Sequence, residues 1–390
     1  MKSLAARLFA FLGSYGLACL LLLDLFLLTL FGTLHQIEAG LFEAQKRYFE
    51  SWFVVQREPI PLVLPGGLLC MGLLAVNLFV GGMVRIQKTK RTAGILVVHV
   101  GIALLLASGF VKLYHSDDGF LRLREGQASD EYVSYHLWEV ALWDASQRGP
   151  VVEHLIPHEH LSDLVDGRSR TFWKAGLPLE LELSGFLKNC EPLPKGPMWQ
   201  ADSFVVDGYA LKRMPDDPEN ENNLPGISVR FRALQGGATK EDLLWGLEHH
   251  PATFDAGGKT WAVSLRKTRY PMPFSIRLED FRKEDHPGLS MARSYESDVT
   301  KLASGTEQPI RIQMNEPLRD GGLVLFQSSF AMDRDGKEVS VFSVVRNPSD
   351  YWPLYACIII GIGLFLAFVP KLVRYVRGQA TRRASPGVSS

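Results

Sequence analysis

Hydrophobic positions along the chain fall into two regimes. Four stretches are apolar almost without interruption, running from about Leu8 to Leu34, Pro61 to Met83, Ala93 to Tyr114 and Pro353 to Val369. A helix needs about 20 apolar residues to span a bilayer, so each predicts a transmembrane helix. The last, "LYACIIIGIGLFLAFV", is the shortest, but it carries no charge and basic residues follow it. Between the third and fourth stretches the pattern changes. "ISVRFRAL" (227–234), "KTWAVSLRKTRY" (259–270), "PIRIQM" (309–314), "GLVLFQSSF" (322–330) and "EVSVFSVV" (338–345) are rich in β-branched and aromatic residues. Several alternate apolar with polar, which predicts strands with one buried face. The cluster "RDGG" separates two of them, and "DRDGKE" reads as a hairpin turn. One stretch, "KEDLLWGLEHH" (240–250), predicts a helix.

The expected fold class is therefore membrane α-helical, with four transmembrane helices, plus a large extracytoplasmic, mostly-β domain that is sandwich-like. Its parts are a three-helix transmembrane region (1–114, helices about 8–34, 61–83 and 93–114), a β-rich domain (115–350), a fourth helix (351–370) and a basic cytoplasmic tail (371–390). A polar region of that length can bury a core of its own. The end of the tail, "RRASPGVSS", reads as disordered.

Charge orients the helices. The second-to-third connection carries Arg85, Lys88, Lys90 and Arg91 with no acid, and Lys371, Arg374, Arg377, Arg382 and Arg383 follow the fourth helix. The first connection mixes Lys46, Arg47 and Arg57 with Glu38, Glu43, Glu50 and Glu58. By the positive-inside rule both termini and the short basic loop are cytoplasmic, and the β-rich region faces the periplasm or the outside of a bacterial inner (plasma) membrane. The first apolar run is too long for a cleaved signal and no small-x-small site follows it, so it reads as a retained anchor. "GLAC" (16–19) resembles a lipoprotein box only faintly, because the apolar run continues past Cys19.

Overall charge is balanced, with 42 basic and 42 acidic residues, which gives no support to nucleic-acid binding. Cys19, Cys70 and Cys357 lie in the helices, leaving Cys190 alone in the β-rich region without a CxxC. Thiol exchange is not expected. Neither GxSxG, HExxH, a P-loop nor a Rossmann fingerprint occurs. His154, His158 and His160 cluster in "HLIPHEHLSD", with Glu159 and Asp163 close by. No strand or helix spacing brings all three to one point, so a solvated loop is the better reading than a metal site. His249 and His250, adjacent on a helix, would point apart as surface residues.

Candidate chemistry lies instead within the membrane. His99 and Asn77 each sit about eight residues from the basic boundary, at Arg91 and Arg85, or ~12 Å in depth at 1.5 Å per residue. They occupy adjacent helices, so Asn77 can orient His99. Asp24 lies ~7–8 Å further out and reads as a protonated or hydrogen-bonded group rather than a relay. His35 and His115 mark the outer ends of the first and third helices, and an interfacial anchor is the better reading of His35. Ionisable groups at membrane depth are costly and are functional candidates by default. For His99 two readings stand: packing by a hydrogen bond to a neighbouring helix, or an axial ligand to haem iron, for which a neutral imidazole is suited. No second histidine lies in mid-membrane, so haem at His99 would need its opposing ligand from another chain.

These stretches resemble the ResB (CcsB) family of system II cytochrome c biogenesis. The resemblance rests on "GSYGLACLLLLDLFLLTLFGTLHQ", "YFESWFVV" with "AVNLFVGGMVR", "HVGIALLLASG", "HPGLSMARSYESDVTKL" (286–302), "MNEPLRDGGLVLFQSSFAMD" and "FSVVRNPSDYWPLY", in this order. It implies a non-autonomous subunit of a haem lyase (holocytochrome c synthase). Such a subunit binds and exports haem b, a transient cargo, and helps attach it to apocytochrome c CxxCH motifs with a CcsA/ResC-type partner that bears a tryptophan-rich motif. That motif is missing here, so the chain looks like the unfused partner. His99 matches the family's third-helix histidine, which is implicated in haem binding; Asn77 and His35 are the further candidate cofactor contacts. "FQSSF" reads as packing rather than docking surface. Two alternatives remain: a membrane electron-transfer protein with permanent b-type haem, and a non-haem assembly scaffold whose β domain binds partners.

Overall fold

The computed structural model describes residues 4–56, 62–165, 167–196, 204–288, 292–303, 305–332 and 335–384. The chain divides into two units: Met1–Ser116 with Asn347–Ser390, which is helical, and Asp117–Arg346, which is built of strands. Among the described residues, four helical segments are long and apolar enough to cross a membrane: Tyr15–Phe49, Gly67–Val84, Ala93–His115 and Trp352–Gln379.

The helical unit opens differently from the sequence pattern. In place of one helix from Leu8 there are two, α1 (Leu4–Leu12) and α2 (Tyr15–Ala44), broken at Gly13–Ser14. Ser14 causes the break and repairs it, since its Oγ accepts from Leu17 N (3.2 Å) as an N-cap. α2 runs past the expected Leu34 and is interrupted at Gly40, whose φ of 79° only glycine adopts without strain. A π-helical turn, Gln45–Phe49, then leads into a hairpin of β1 (Phe53–Gln56) and β2 (Leu62–Pro65). Val54 and Leu64 from this hairpin bury against Leu28 and Tyr48. The second spanning helix, α3 (Gly67–Asn77), therefore begins several residues later than expected. It continues directly into a π-helical turn, Leu78–Val84.

α4 (Ala93–His115) and α5 (Trp352–Ala384) pack along a seam of small residues. A Cβ on Gly94 would meet Ala367 N at 2.6 Å, one on Gly363 would meet Val98 N at 2.7 Å, and one on Gly101 would meet Ile360 at 2.6 Å. Lipid offers apolar side chains no hydrophobic gain from association, so close backbone contact is what holds such a pair. Ser349 Oγ adds a hydrogen bond to the Ser108 carbonyl (3.0 Å). α5 continues through Pro370 to Ala384, so much of the expected tail is helical; residues 385–390 lie outside the described residues.

In the β unit the strands are β3 (Asp117–Leu123), β4 (Ala128–Asp144), β5 (His154–Ile156), β6 (Ser169–Phe172) and β7 (Leu179–Leu187). β8 (Cys190–Pro194), β9 (Tyr209–Arg213), β10 (Gly226–Ala233), β11 (Thr239–Trp245) and β12 (Ala252–Ala256) follow. The last six are β13 (Lys259–Asp285), β14 (Ala292–Ala303), β15 (Thr306–Gln313), β16 (Leu318–Asp320), β17 (Leu323–Met332) and β18 (Glu338–Arg346). All named pairings are antiparallel. The large sheet has the order β15-β14-β13-β4-β3-β18-β17-β16, with β12 on β13 and β5 on β4.

β4 and β13 run through two cores, changing register near Lys267 and again between Pro271 and Ile276. One end is a sandwich: the sheet β11-β10-β7-β6 covers it, enclosing Phe231, Val229, Leu181, Leu183 and Val263. At the other end the sheet curls on itself around Leu121, Ile276, Val299, Leu325 and Phe342. The curl shows in a buried polar trio. Ser297 Oγ donates to Gln327 Oε1 (2.7 Å) and lies 2.9 Å from Ser340 Oγ, although β14 is no ladder neighbour of β17 or β18. Gln327 of "FQSSF" thus packs inward, as expected.

The predicted helix at 240–250 is a strand, β11, followed by a turn. Its residues favour helix intrinsically, but β10 pairs along its length and Arg230 bridges Glu241 (2.8 Å), so tertiary pairing overrides propensity. In the turn, Glu248 Oε1 accepts from the N–H groups of His249 and His250. The expected hairpin between β17 and β18 is present, although 333–334 of its turn lie outside the described residues. Burial pushes the Cys190 thiol up to about 12, so it stays protonated and unreactive. Burial also pulls Lys267 down to about 8, where its Nζ donates to the Tyr135 carbonyl (2.5 Å) and sits over the Trp138 ring (4.6 Å).

The α4–α5 seam gives a direct test. Gly363→Val is expected to cost about 1–3 kcal/mol or more by overpacking, lowering the melting temperature of the detergent-purified protein. Gly361→Ala, with nothing within 4 Å of its added Cβ, is expected to leave it unchanged or slightly raised.

Candidate functional site

The site grows from a helix end. An α-helix or π-helix leaves its last carbonyls without intrahelical donors, and the turn Leu78–Val84 ends with Gly82 among them. His99 Nδ1 lies 2.8 Å from the Gly82 carbonyl oxygen. A carbonyl oxygen has only lone pairs to offer, so Nδ1 carries the proton and donates. In the neutral ring the remaining lone pair is then on Nε2, which has no hydrogen-bond partner among the described residues. Tying one imidazole nitrogen to a carbonyl is the usual way a protein fixes which nitrogen faces a metal.

Glycine at 82 is required by this contact. A Cβ there would stand 2.7 Å from His99 Nδ1. Gly81 serves the opposite side, where a Cβ would press on the Gly13 carbonyl at 2.9 Å. The pair "GG" thus lets the π-helical turn touch both α4 and the α1–α2 break. Two side chains brace the break by donating to carbonyls at the end of α1 and in the two residues that follow it. Arg85 Nη1 donates to Ala10 O (3.0 Å) and Gly13 O (3.2 Å). Asn77 Nδ2 donates to Leu12 O (2.6 Å) and Ser14 O (3.0 Å).

Asn77 therefore does not orient His99, as its depth in the sequence suggested. Both its amide protons are engaged by the α1–α2 break, and Gly82 performs the orienting role instead. Depth along a helix fixes height but not azimuth, and the π-helical turn carries position 82 round to the imidazole. The one sequence signal was a pair of adjacent glycines near a helix end, and counting residues from Arg85 places them nearer the basic boundary than His99, so depth did not pair them.

Beyond the contact, an apolar groove of 250 Å³ lies between α3 with its π-helical turn and α4. Ala103, Leu106, Ala107 and Phe110 line one wall, following His99 on the same helix face at successive turns. Phe79 and Met83 help to line the other. Ligand pockets usually measure about 300–1,000 Å³, so this groove suits the edge of a flat apolar ligand and not its whole body.

The other candidates sit elsewhere in their units. His35 lies within α2, half-buried, with its ring edge-on to Tyr48 at 5.8 Å. His115 ends α4 and is exposed. Asp24 is buried against Cys70, whose Sγ donates to Leu21 O (3.2 Å), and its Oδ2 has no hydrogen-bond partner among the described residues. In the β unit His154, His158 and His160 each face a different aromatic ring: Trp261, Phe186 and Phe172. Among the described residues no group of three His, Cys, Asp or Glu side chains could hold a metal ion.

Comparison with known proteins supports the family read from the motifs. Residues 252–337, within the β unit, match the model of the ResB-like family. The chain is also 24% identical over 277 residues, 68% of its length, to Protein NrfI of Wolinella succinogenes. It spans about a quarter of that relative's length (26%). The match to the ResB-like model agrees with the resemblance read from the motifs.

The Gly82 contact predicts a fixed tautomer. With labelled histidine, magnetic resonance of the membrane-embedded protein is expected to show His99 protonated at Nδ1. Gly82→Ala is expected to displace the ring and mix the tautomers; an unchanged signal would mean that the carbonyl does not hold it.

Proposed function

We propose that this chain is the membrane subunit of a system II cytochrome c synthase that grips haem while it is exported and joined to apocytochrome c CxxCH motifs. The coarser part, a membrane protein with a role in cytochrome c biogenesis, is supported by the ResB-like match, the similarity to NrfI and the four apolar helices. The finer part rests on one observation: the His99 ring is held through Nδ1 by the Gly82 carbonyl, leaving Nε2 unpartnered on a helix face that continues into an apolar groove. Neutral imidazole is a common haem ligand.

Haem is the cargo in this reading, and the chain's own residues bind, orient and exclude water. His99 Nε2 supplies one axial ligand. Phe79, Leu106 and Phe110 cover an edge of the ring and keep water from the iron side. The groove is too small for the whole macrocycle, so a second membrane protein of the CcsA/ResC type closes the site and supplies the opposing ligand. Asn77 and Arg85 contribute at one remove, bracing the α1–α2 break against which Gly81 packs. His35 serves as an interfacial residue. The β unit, facing the periplasm, receives the apocytochrome.

The test is haem content. Co-expressed with its partner, the His99→Ala protein is expected to lose most of its haem absorbance, and His99→Gly is expected to regain it when imidazole is added to the medium. Haem retained in full by His99→Ala would remove the ligand role.

A further inference from the structure

The sandwich core of the β unit is open on one side. There a cleft of 250 Å³ lies between β5, β7 and the residues that follow β6. Its floor is the core itself, formed by Leu142, Ile156 and Leu181, all buried. At the rim stands Trp173, a large aromatic side chain that is 60% exposed. Exposed tryptophan beside an accessible apolar floor is unusual away from binding surfaces, because its area is worth burying.

The polar groups of the cleft are of one kind. His154 and Lys174 both line it, and no carboxylate does. Lys174 forms no ion pair among the described residues. Burial and the nearby Lys174 ammonium hold the His154 pKa below the ordinary histidine range, so near neutral pH its ring is uncharged. That leaves a single exposed ammonium at the edge of an apolar cavity, beside an imidazole able to give or take a hydrogen bond.

We propose that this cleft binds a small amphipathic carboxylate: an apolar body seated on Leu142, Ile156 and Leu181 under Trp173, with its carboxylate on Lys174 and His154. Charge complementarity selects the ligand class. A neutral apolar molecule would gain nothing from the ammonium, and a phosphate would find no second cation among the lining residues. At 250 Å³ the cleft holds either one edge of a flat ring, as in a porphyrin that carries propionates, or an alkyl chain, as in a fatty acid. The site is distinct from His99, and its occupation needs no iron.

Titration calorimetry on the full-length protein in phosphatidylcholine nanodiscs tests it with four probes. These are metal-free protoporphyrin IX, its dimethyl ester, dodecanoate and dodecanol. At least one acid is expected to bind ten-fold or more tightly than its uncharged counterpart. Lys174→Glu is expected to weaken that acid at least ten-fold, Lys174→Arg to preserve it and Trp173→Ala to weaken it. His99→Ala is expected to leave it unchanged, which separates this site from the haem grip. The acid that binds identifies the body as flat or alkyl. Equal affinity for acid and uncharged forms, unchanged binding by Lys174→Glu, or binding of neither acid would overturn the proposal.

Discussion

A single hydrogen bond, from His99 Nδ1 to the carbonyl of Gly82, governs the chemistry of the helical unit. A polar group inside an apolar medium must find a partner or cost several kcal/mol, about 2–7 for an unpaired group. Here one contact answers two needs. The helix end has carbonyls without donors, and the imidazole has an N–H without an acceptor. Their meeting leaves the ring's Nε2 without a partner among the described residues, so the contact that satisfies the fold is also the one on which the proposed haem grip rests. Around it, Gly81 and Gly82 permit the approach, while Asn77 and Arg85 hold the broken start of the chain in place against the same turn.

Much of this was legible in the sequence, and the misses have physical causes. Four apolar stretches announce four helices because hydrocarbon demands continuous apolar surface, and that demand is nearly independent of tertiary context. Helix ends were less legible. The first helix breaks at Ser14, a capping residue hidden within an apolar run, and the second starts only after β2, whose "LVLP" is as hydrophobic as a helix. In the β unit, strands such as "ISVRFRAL" declare themselves by alternation. "KEDLLW" does not, because its strand state comes from pairing with β10 rather than from its own propensity. His99 stood out as an imidazole in an apolar run. Its partner did not, because a backbone carbonyl leaves no side-chain signature, and Asn77, the visible polar residue at the same height, is engaged elsewhere.

The two units use polar groups in contrasting ways. In the β unit, Ser297, Gln327 and Ser340 satisfy one another inside the curled end of the sheet and leave nothing for a ligand. Such closed networks rigidify and specify a core. In the helical unit the network around His99 is closed on one nitrogen and open on the other. The cleft at Trp173 is open in the same sense, with a cation and an imidazole but no acid. Incomplete satisfaction beside apolar surface is the feature that the two proposed sites share.

An experimental structure of the chain bound to haem and its membrane partner would test the central claim most directly. The expected result is iron coordinated by His99 Nε2, with Nδ1 still on the Gly82 carbonyl and the opposing ligand from the other protein. Iron held by a different residue of this chain, or by His99 through Nδ1 with the carbonyl contact broken, would contradict it.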